Sequence, residues 1–317
     1  MRVLNYLSLV KAGEVEIREA PKPKPKRNEL LIKVKACGIC AFDIYAFQGK
    51  VSFEEYLEHP GHEFVGVVEG FGEEVSGFSV GDAVSGLGSG AFAEYITVPA
   101  EAVEKVPVVD NNFSVWISEP VACVVNGIRS LEIEPGDSVL LIGCGYMGLL
   151  MVQGIPAKLL KYFVVADVIE ERLSLAKAFG AEIALNPRDP SFEGEIKEIA
   201  PRGFDIVIEA SGAKGALDMA TNLVREGGTL CVFGYHVGRE EVPTGDWHIK
   251  GLKILNSAPN FSRNFLKDLR DGTALMKKGT FKQDKLITHT FQYTEAQKAF
   301  EFVASKPQGY IKGTILF

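Results

Sequence analysis

The stretch from Asp137 to Asp167 constrains this chain more than any other. Val139 to Ile142 is a short apolar run, partly β-branched and bounded by turn formers, which reads as a buried parallel strand. Gly143, Gly145 and Gly148 follow at G-x-G-x-x-G spacing, with Tyr146 and Met147 opening a helix. In such a turn the first glycine allows the tight bend and the second lets a pyrophosphate approach the backbone. The third lets helix and strand pack closely. Phosphate oxygens then meet free N–H groups at the positive end of the helix dipole. Glycine-rich turns without a ligand are common, so this spacing alone says little. Here a second apolar run ends at Asp167, about 20 positions beyond the last glycine, where such sites carry the acid that binds a ribose hydroxyl pair. Strand, turn, helix and spaced acid together point to a dinucleotide site. A carboxylate at position 167 would repel a 2′-phosphate, which favours NAD over NADP.

Composition bounds the rest. At 317 residues there is room for two domains with full cores, and 46% hydrophobic residues argue against disorder. A net charge of −7 excludes a nucleic-acid or anionic-membrane surface as the default partner. No apolar run approaches the roughly 18 residues of a membrane helix. The first residues lack the apolar core and small-residue cleavage site of a signal peptide. Five cysteines, odd in number and thinly spread, form no disulfide framework, so a cytoplasmic location is expected.

Ahead of the turn the chain reads as β-structure. Val15–Ile17 and Leu30–Ala36 carry strand patterns, joined by Pro21–Arg27, an extended solvated connector. Cys37 and Cys40 form a C-x-x-C pair with no second pair nearby, so two packed cysteines is the simplest reading. His62 and Glu63 follow at a turn feeding an apolar strand; His59, beside Pro60, reads as a surface residue. Thiolate, imidazole and carboxylate are all good zinc ligands, and three with an open position make a catalytic site. A hydrogen-bonded histidine at a strand start fits the same spacing. Phe64–Val75, Gly81–Val84 and Ala91–Val98 continue the strands with glycine turns, the pattern of a compact β domain. Ser118–Ile128 opens a helix with Pro120 at its first turn. Glu119 there either complements the helix dipole or adds a further carboxylate to a metal site.

In this order, Cys-Gly-Ile-Cys-x-x-Asp, Gly-His-Glu, Gly-Asp-Ala-Val, Gly-x-Phe-Ala-Glu-Tyr, Glu-Pro and the glycine turn resemble the zinc-dependent medium-chain dehydrogenases, in particular the sorbitol and threonine dehydrogenase branch. The resemblance covers essentially the whole chain. It implies an α/β protein: a GroES-like β domain, 1–120 with 258–317, and a Rossmann doubly wound parallel-sheet domain, 121–257, with the active site in the cleft between them. It implies one catalytic zinc held by Cys40, His62 and Glu63, with Glu119 binding the metal or its water, so that the third ligand is either Glu63 or Glu119. Cys37 matches a non-ligand position. Asp43 would orient His62 through its second ring nitrogen. Association into a homodimer or homotetramer is likewise implied. Two departures stand out. Phe42 occupies a position where the family often has a serine or threonine that relays the substrate proton, and Tyr45 replaces the histidine that often ends the relay. The loop before Phe92 holds none of the cysteines of the family's structural-zinc lobe.

Past the turn, Pro156 ends the helix, and Glu170–Gly180 reads as the next one, its Arg172 matching a position beside the adenine ribose. Strands at Phe204–Ile208 and Thr229–Phe233 lead to Ser211 and Gly234, placed to touch the nicotinamide half because ligands of such folds lie beyond the carboxyl ends of strands. Lys253–Ser257 reads as the last strand of that sheet, helical runs follow near Phe265–Lys278 and Thr294–Ser305, and Gly309–Phe317 closes as strand. His236, His248 and His289 read as loop residues. The reading is NAD-dependent oxidation of a small alcohol or polyol with zinc as Lewis acid. Its rivals are a zinc-free quinone or enone reductase on the same fold, and a non-catalytic nucleotide-binding protein; both are motivated by Phe42.

Overall fold

The computed structural model describes residues 3–51, 54–259 and 262–317. The chain forms two compact units, Met1–Ala122 with Leu266–Phe317 and Cys123–Phe265. In the first unit, Val3–Lys11 (β1) and Glu14–Pro21 (β2) pair as an antiparallel hairpin. A seven-stranded sheet takes in Glu29–Gly38 (β3), Glu63–Phe71 (β4), Ala83–Leu87 (β5), Tyr95–Pro99 (β6) and Val103–Lys105 (β7). Two late strands join it: Ile287–Gln292 (β14) and Lys312–Leu316 (β15). Its order is β14-β15-β3-β4-β5-β7, with β6 also on β3. The antiparallel register of β3 and β4 sets Cys37 opposite Phe64 and Gly38 opposite Glu63. Leu7, Leu30, Ile32, Phe64, Phe92 and Phe300 are fully buried in its core. The connector after Pro21 is tied down: Lys22 pairs with Glu69 over the Tyr95 ring, and Arg27 pairs with Glu73 and Glu74.

Two short helices lie between Cys40 and His62: Ala41–Phe47 (α1) and Glu54–Glu58 (α2). Glu119–Leu131 (α3) begins with Glu119 in its first turn, as expected. The second unit is a six-stranded parallel sheet of Ser138–Ile142 (β8), Tyr162–Ala166 (β9), Ile183–Leu185 (β10), Phe204–Glu209 (β11), Val224–Val232 (β12) and Lys253–Asn256 (β13). The order β10-β9-β8-β11-β12-β13 is that of a Rossmann fold, with the strand sequence reversing between β8 and β11. Every residue of β8 is buried, which explains its continuous apolar run. Tyr146–Gly154 (α4) stops just short of Pro156, and Glu170–Phe179 (α5) ends at Gly180 in the left-handed conformation. Phe192–Ile199 (α6), Ala216–Leu223 (α7) and Thr244–Ile249 (α8) complete this unit. Phe265–Lys277 (α9) and Ala296–Ser305 (α10) return the chain to the first unit. Among the described residues, no helix is long and apolar enough to cross a membrane.

The three glycines of the turn do different work. Gly143 has φ +100°, and a side chain there would strike Ser211. A Cβ on Gly148 would sit 1.9 Å from the Gly143 carbonyl oxygen, so close helix–turn packing requires glycine. Gly145 has φ −69° and nothing within 4 Å of an added Cβ. Nothing in the fold itself calls for glycine there, whereas a phosphate approaching the backbone does. Gly148→Ala is therefore expected to cost about 1–3 kcal/mol, lowering Tm by several degrees. Gly145→Ala should leave Tm within about 2 °C of the parent while weakening dinucleotide binding at least tenfold. Thermal melts and calorimetric titration with NADH check both; equal effects of the two substitutions on Tm would refute the distinction.

Candidate metal centre and dinucleotide turn

The β3–β4 register builds the first site. With Gly38 and Glu63 paired at the end of the ladder, Cys40 and His62 emerge just beyond it. Cys40 caps α1, and its N–H donates to the Asp43 carboxylate at 2.7 Å. The ligand-type atoms of Cys40, His62 and Glu63 all lie within 4.8 Å of one another. Glu119 lies outside this group, but its negative charge acts on His62. The carboxylate gathered with the thiol and imidazole is thus Glu63.

Glu63 is 2% exposed and forms a close ion pair with Lys312, its Oε2 2.5 Å from the ammonium. Gly38 makes room for that oxygen: a Cβ there would fall 2.0 Å from Glu63 Oε2. Burial alone would lower the Lys312 pKa, but the Glu63 carboxylate, with the charges of Cys40 and Tyr310, holds it above the ordinary lysine range. Burial likewise pushes up the Cys40 thiol, partly opposed by its hydrogen bond to His62. Burial opposes charge on His62, but Cys40, Glu119 and Asp43 raise its pKa well above that of a free imidazole. A soft thiolate, an imidazole and a buried carboxylate within one small volume fit a tetrahedral zinc ion with an open position. Cys37, by contrast, is wholly buried on β3, and burial holds its thiol protonated well above the ordinary range.

Asp43 is fully buried but, contrary to what the resemblance implied, makes no direct hydrogen bond to the His62 ring. The Tyr56 hydroxyl stands between them, donating to Asp43 Oδ1 and lying 3.1 Å from His62 Nδ1. Tyr56 lies on α2, a helix without a distinct sequence signal, and its ring packs edge-on against Phe42, with centroids 4.9 Å apart. Tyr45 lies on α1, half-buried, with the Lys50 ammonium 5.7 Å from its ring.

In the second unit, Gly143, Gly145, Tyr146, Met147 and Gly148 form the turn from β8 into α4, as their spacing predicts. Asp167 follows β9 and is buried. It accepts from the backbone N–H of Cys144 at 2.6 Å and of Ile169 at 2.9 Å, so the acid is locked to the turn itself. Arg172 lies in the first turn of α5. Ser211 and Gly234 stand at the carboxyl ends of β11 and β12, where they meet a residue the sequence did not single out. Buried Glu209 accepts from the N–H groups of Ser211 and Gly212 and from the Ser211 hydroxyl. A Cβ on Gly234 would strike Gly212 N and Glu209 Oε2. His236, read as a loop residue, bridges Glu209 at 2.7 Å and Glu240 at 2.8 Å. The single signal for Glu209 was an acid directly after the apolar run Ile206–Ile208.

A two-unit protein with this sheet order, this glycine turn and a Cys-His-Glu cluster has the build of a medium-chain dehydrogenase. The Alcohol dehydrogenase GroES-like domain family matches residues 26–108, and the Zinc-binding dehydrogenase family matches residues 147–271. The chain is 29% identical to an L-threonine 3-dehydrogenase of Pseudoalteromonas translucida, over 97% of this chain and 98% of that protein. A solved structure from Escherichia coli CFT073, described as a short chain alcohol dehydrogenase in complex with NADH, is 27% identical, covers 99% of each chain and has a TM-score of 0.85. A zinc-binding dehydrogenase of Sinorhizobium meliloti 1021 bound to NADP shares the fold over all of both chains, with a TM-score of 0.82 at 24% identity. This chain belongs to the medium-chain dehydrogenase/reductase family of oxidoreductases.

Removing Lys312 would leave the Glu63 carboxylate buried without its counter-charge, a change that costs about 3–5 kcal/mol. Lys312→Met is expected to lower Tm strongly in metal-free protein and much less with zinc present; an equal loss in both states would show that no cation reaches Glu63. Because both His62 and the Cys40 thiol hold their protons to higher pH than the free groups, zinc must displace them. Zinc affinity should therefore rise with pH through the neutral range and fall on acidification. An indicator-dye titration at pH 7 should record about two protons released per ion; none released would contradict the ligand assignment.

Proposed function

We propose that this protein is a zinc- and NAD-dependent dehydrogenase that oxidises a small alcohol or polyol to the ketone or aldehyde, in the manner of the sorbitol and threonine dehydrogenase branch. The observation that carries this is the convergence of Cys40, His62 and buried Glu63, whose ligand-type atoms lie within 4.8 Å of one another. Zinc held there would supply a Lewis acid for the carbinol oxygen, and a bound nicotinamide would supply the hydride acceptor. The remaining tasks fall to side chains. Cys40, His62 and Glu63 hold the metal, and Lys312 keeps the Glu63 carboxylate oriented. Phe42 has no hydroxyl to relay the carbinol proton, so it would leave to the Glu119 carboxylate or the Tyr45 hydroxyl oxygen.

For the coenzyme, Gly143, Gly145 and Gly148 would admit the pyrophosphate to the N–H groups of the turn at Tyr146 and Met147. Asp167 favours NAD: its carboxylate is fixed by two backbone N–H groups and opposes a 2′-phosphate. Arg172 would lie beside the adenine ribose, and Ser211 and Gly234 beside the nicotinamide half. β13 ends the parallel sheet, and a second copy pairing along it would give the homodimer or homotetramer that the resemblance implies.

The test is a panel of vicinal diols, sugar alcohols and amino alcohols, followed by nicotinamide absorbance with each coenzyme. Turnover with NAD, lost on chelation and restored by zinc, with about one zinc per chain that Cys40→Ala removes, is the expected result. Substoichiometric zinc unaffected by Cys40→Ala would overturn the metal mechanism. Reduction of quinones or enones with NADPH in such protein would favour the zinc-free reading suggested by Phe42.

A further inference from the structure

The position that carries phenylalanine instead of a relay hydroxyl is packed against a phenol from another element. Tyr56, on α2, lays its ring edge-on against Phe42 at 4.9 Å and 79°. Its hydroxyl donates to Asp43 Oδ1 and stands 3.1 Å from His62 Nδ1. Asp43 Oδ2 is already occupied by the Cys40 N–H at 2.7 Å. An ionised carboxylate only accepts, and a phenol has a single hydrogen to give. With that hydrogen committed to Asp43, the Tyr56 oxygen can only accept from His62. Nδ1 must then carry the imidazole hydrogen, which leaves the lone pair of a neutral ring on Nε2.

We infer that Tyr56 is a positioning residue which sets the tautomer and ring orientation of His62, passing the hydrogen-bonding polarity of Asp43 to the opposite ring nitrogen, Nε2. Asp43 acts on His62 through Tyr56, and Phe42 serves as the support for the Tyr56 ring. The direction of the chain matters as much as its existence. From Cys40 N–H inward, one donor points at Asp43; from His62 outward, Nδ1–H points to Tyr56 and Tyr56 O–H points to Asp43. All the hydrogens run toward the buried carboxylate, and bonds aligned in this way polarise one another. A histidine held so is a better metal ligand than a free ring, and losing such a support lowers metal affinity about 10–100-fold.

The inference rests on the zinc reading for its function, but not for its test. In metal-free protein labelled with 15N-histidine, long-range 1H–15N spectra report the tautomer of each of the five histidines. His62 is assigned by the signal lost in His62→Gln. At a pH alkaline enough to leave the ring neutral, the wild type should show the Nδ1–H form. Tyr56→Phe keeps the ring against Phe42 but removes the acceptor; it should shift His62 toward the Nε2–H form and weaken zinc binding, measured by chelator competition, about 10–100-fold. Asp43→Asn gives an independent reading. Its carbonyl would keep the Cys40 N–H and turn its amide N–H₂ toward Tyr56, so the phenol would donate to Nδ1 and reverse the tautomer. In the Tyr56→Phe background, Asp43→Asn should change the tautomer no further.

A wild-type Nε2–H ring, or a tautomer and a zinc affinity indifferent to Tyr56→Phe, would overturn the inference. A purely packing role for Tyr56 predicts that indifference, because phenylalanine preserves the ring. Wild-type protein that takes up no zinc, yet shows these tautomer shifts, would instead remove the metal reading and leave the hydrogen-bond chain in place.

Discussion

The Glu63–Lys312 ion pair is the contact on which the metal centre turns. A carboxylate only 2% exposed at the start of a strand needs a compensating charge, and the sheet supplies it from its last strand. β15 lies beside β3, and β3 beside β4, so an ammonium from near the end of the chain reaches an acid near its beginning. The pair leaves a carboxylate oxygen of Glu63 within 4.8 Å of the ligand-type atoms of Cys40 and His62. An interior acid fully satisfied by lysine would be structural. One that also lies beside a thiol and an imidazole has the neighbours of a metal ligand.

The same geometry explains why parts of this site were legible in the sequence and others were not. Cys40, His62 and Glu63 are donors close along the chain, and ladder register alone brings them together. The glycine turn is equally local, since strand, bend and helix lie within a few residues of one another. Lys312 gave no such signal, because a lysine near a glycine in a terminal strand looks like any solvent-facing residue. Its burial depends on closing the sheet across the whole length of the chain. Gly38 was hidden for a related reason: its need to be glycine arises from the Glu63 carboxylate across the ladder, not from its own backbone. β14 was missed because its alternation of half-buried and exposed residues includes threonine, histidine and glutamine, so its apolar face is weak.

Tyr56 and Phe42 show how a local substitution is absorbed by a distant element. Read along the chain, phenylalanine at position 42 is a loss of hydroxyl chemistry, and it raised the prospect of a metal-free or inactive protein. In three dimensions the aromatic ring carries a second aromatic residue, whose hydroxyl reaches both Asp43 and His62. An inventory of residues by motif position records the loss and misses the replacement, because α2 is too short for periodicity to announce it. The polar group has moved to another segment, and with it the question of which ring nitrogen of His62 is free.

A common device runs through both units. Buried carboxylates at element ends accept backbone N–H groups and so hold loops that carry chemistry. Asp43 takes the N–H of Cys40, Asp167 those of Cys144 and Ile169, and Glu209 those of Ser211 and Gly212. A charge-assisted bond to a backbone N–H is roughly twice as strong as a neutral one, and it fixes the peptide rather than a mobile side chain. For Asp167 this bears on the proposed preference for NAD. Its oxygens are held by the turn that would receive the pyrophosphate, so the acid cannot swing aside to accommodate a 2′-phosphate without releasing Cys144 and Ile169. Rejection of the phosphorylated coenzyme would then come from the rigidity of the carboxylate as much as from its charge, and relaxing it would require breaking the turn along with the acid.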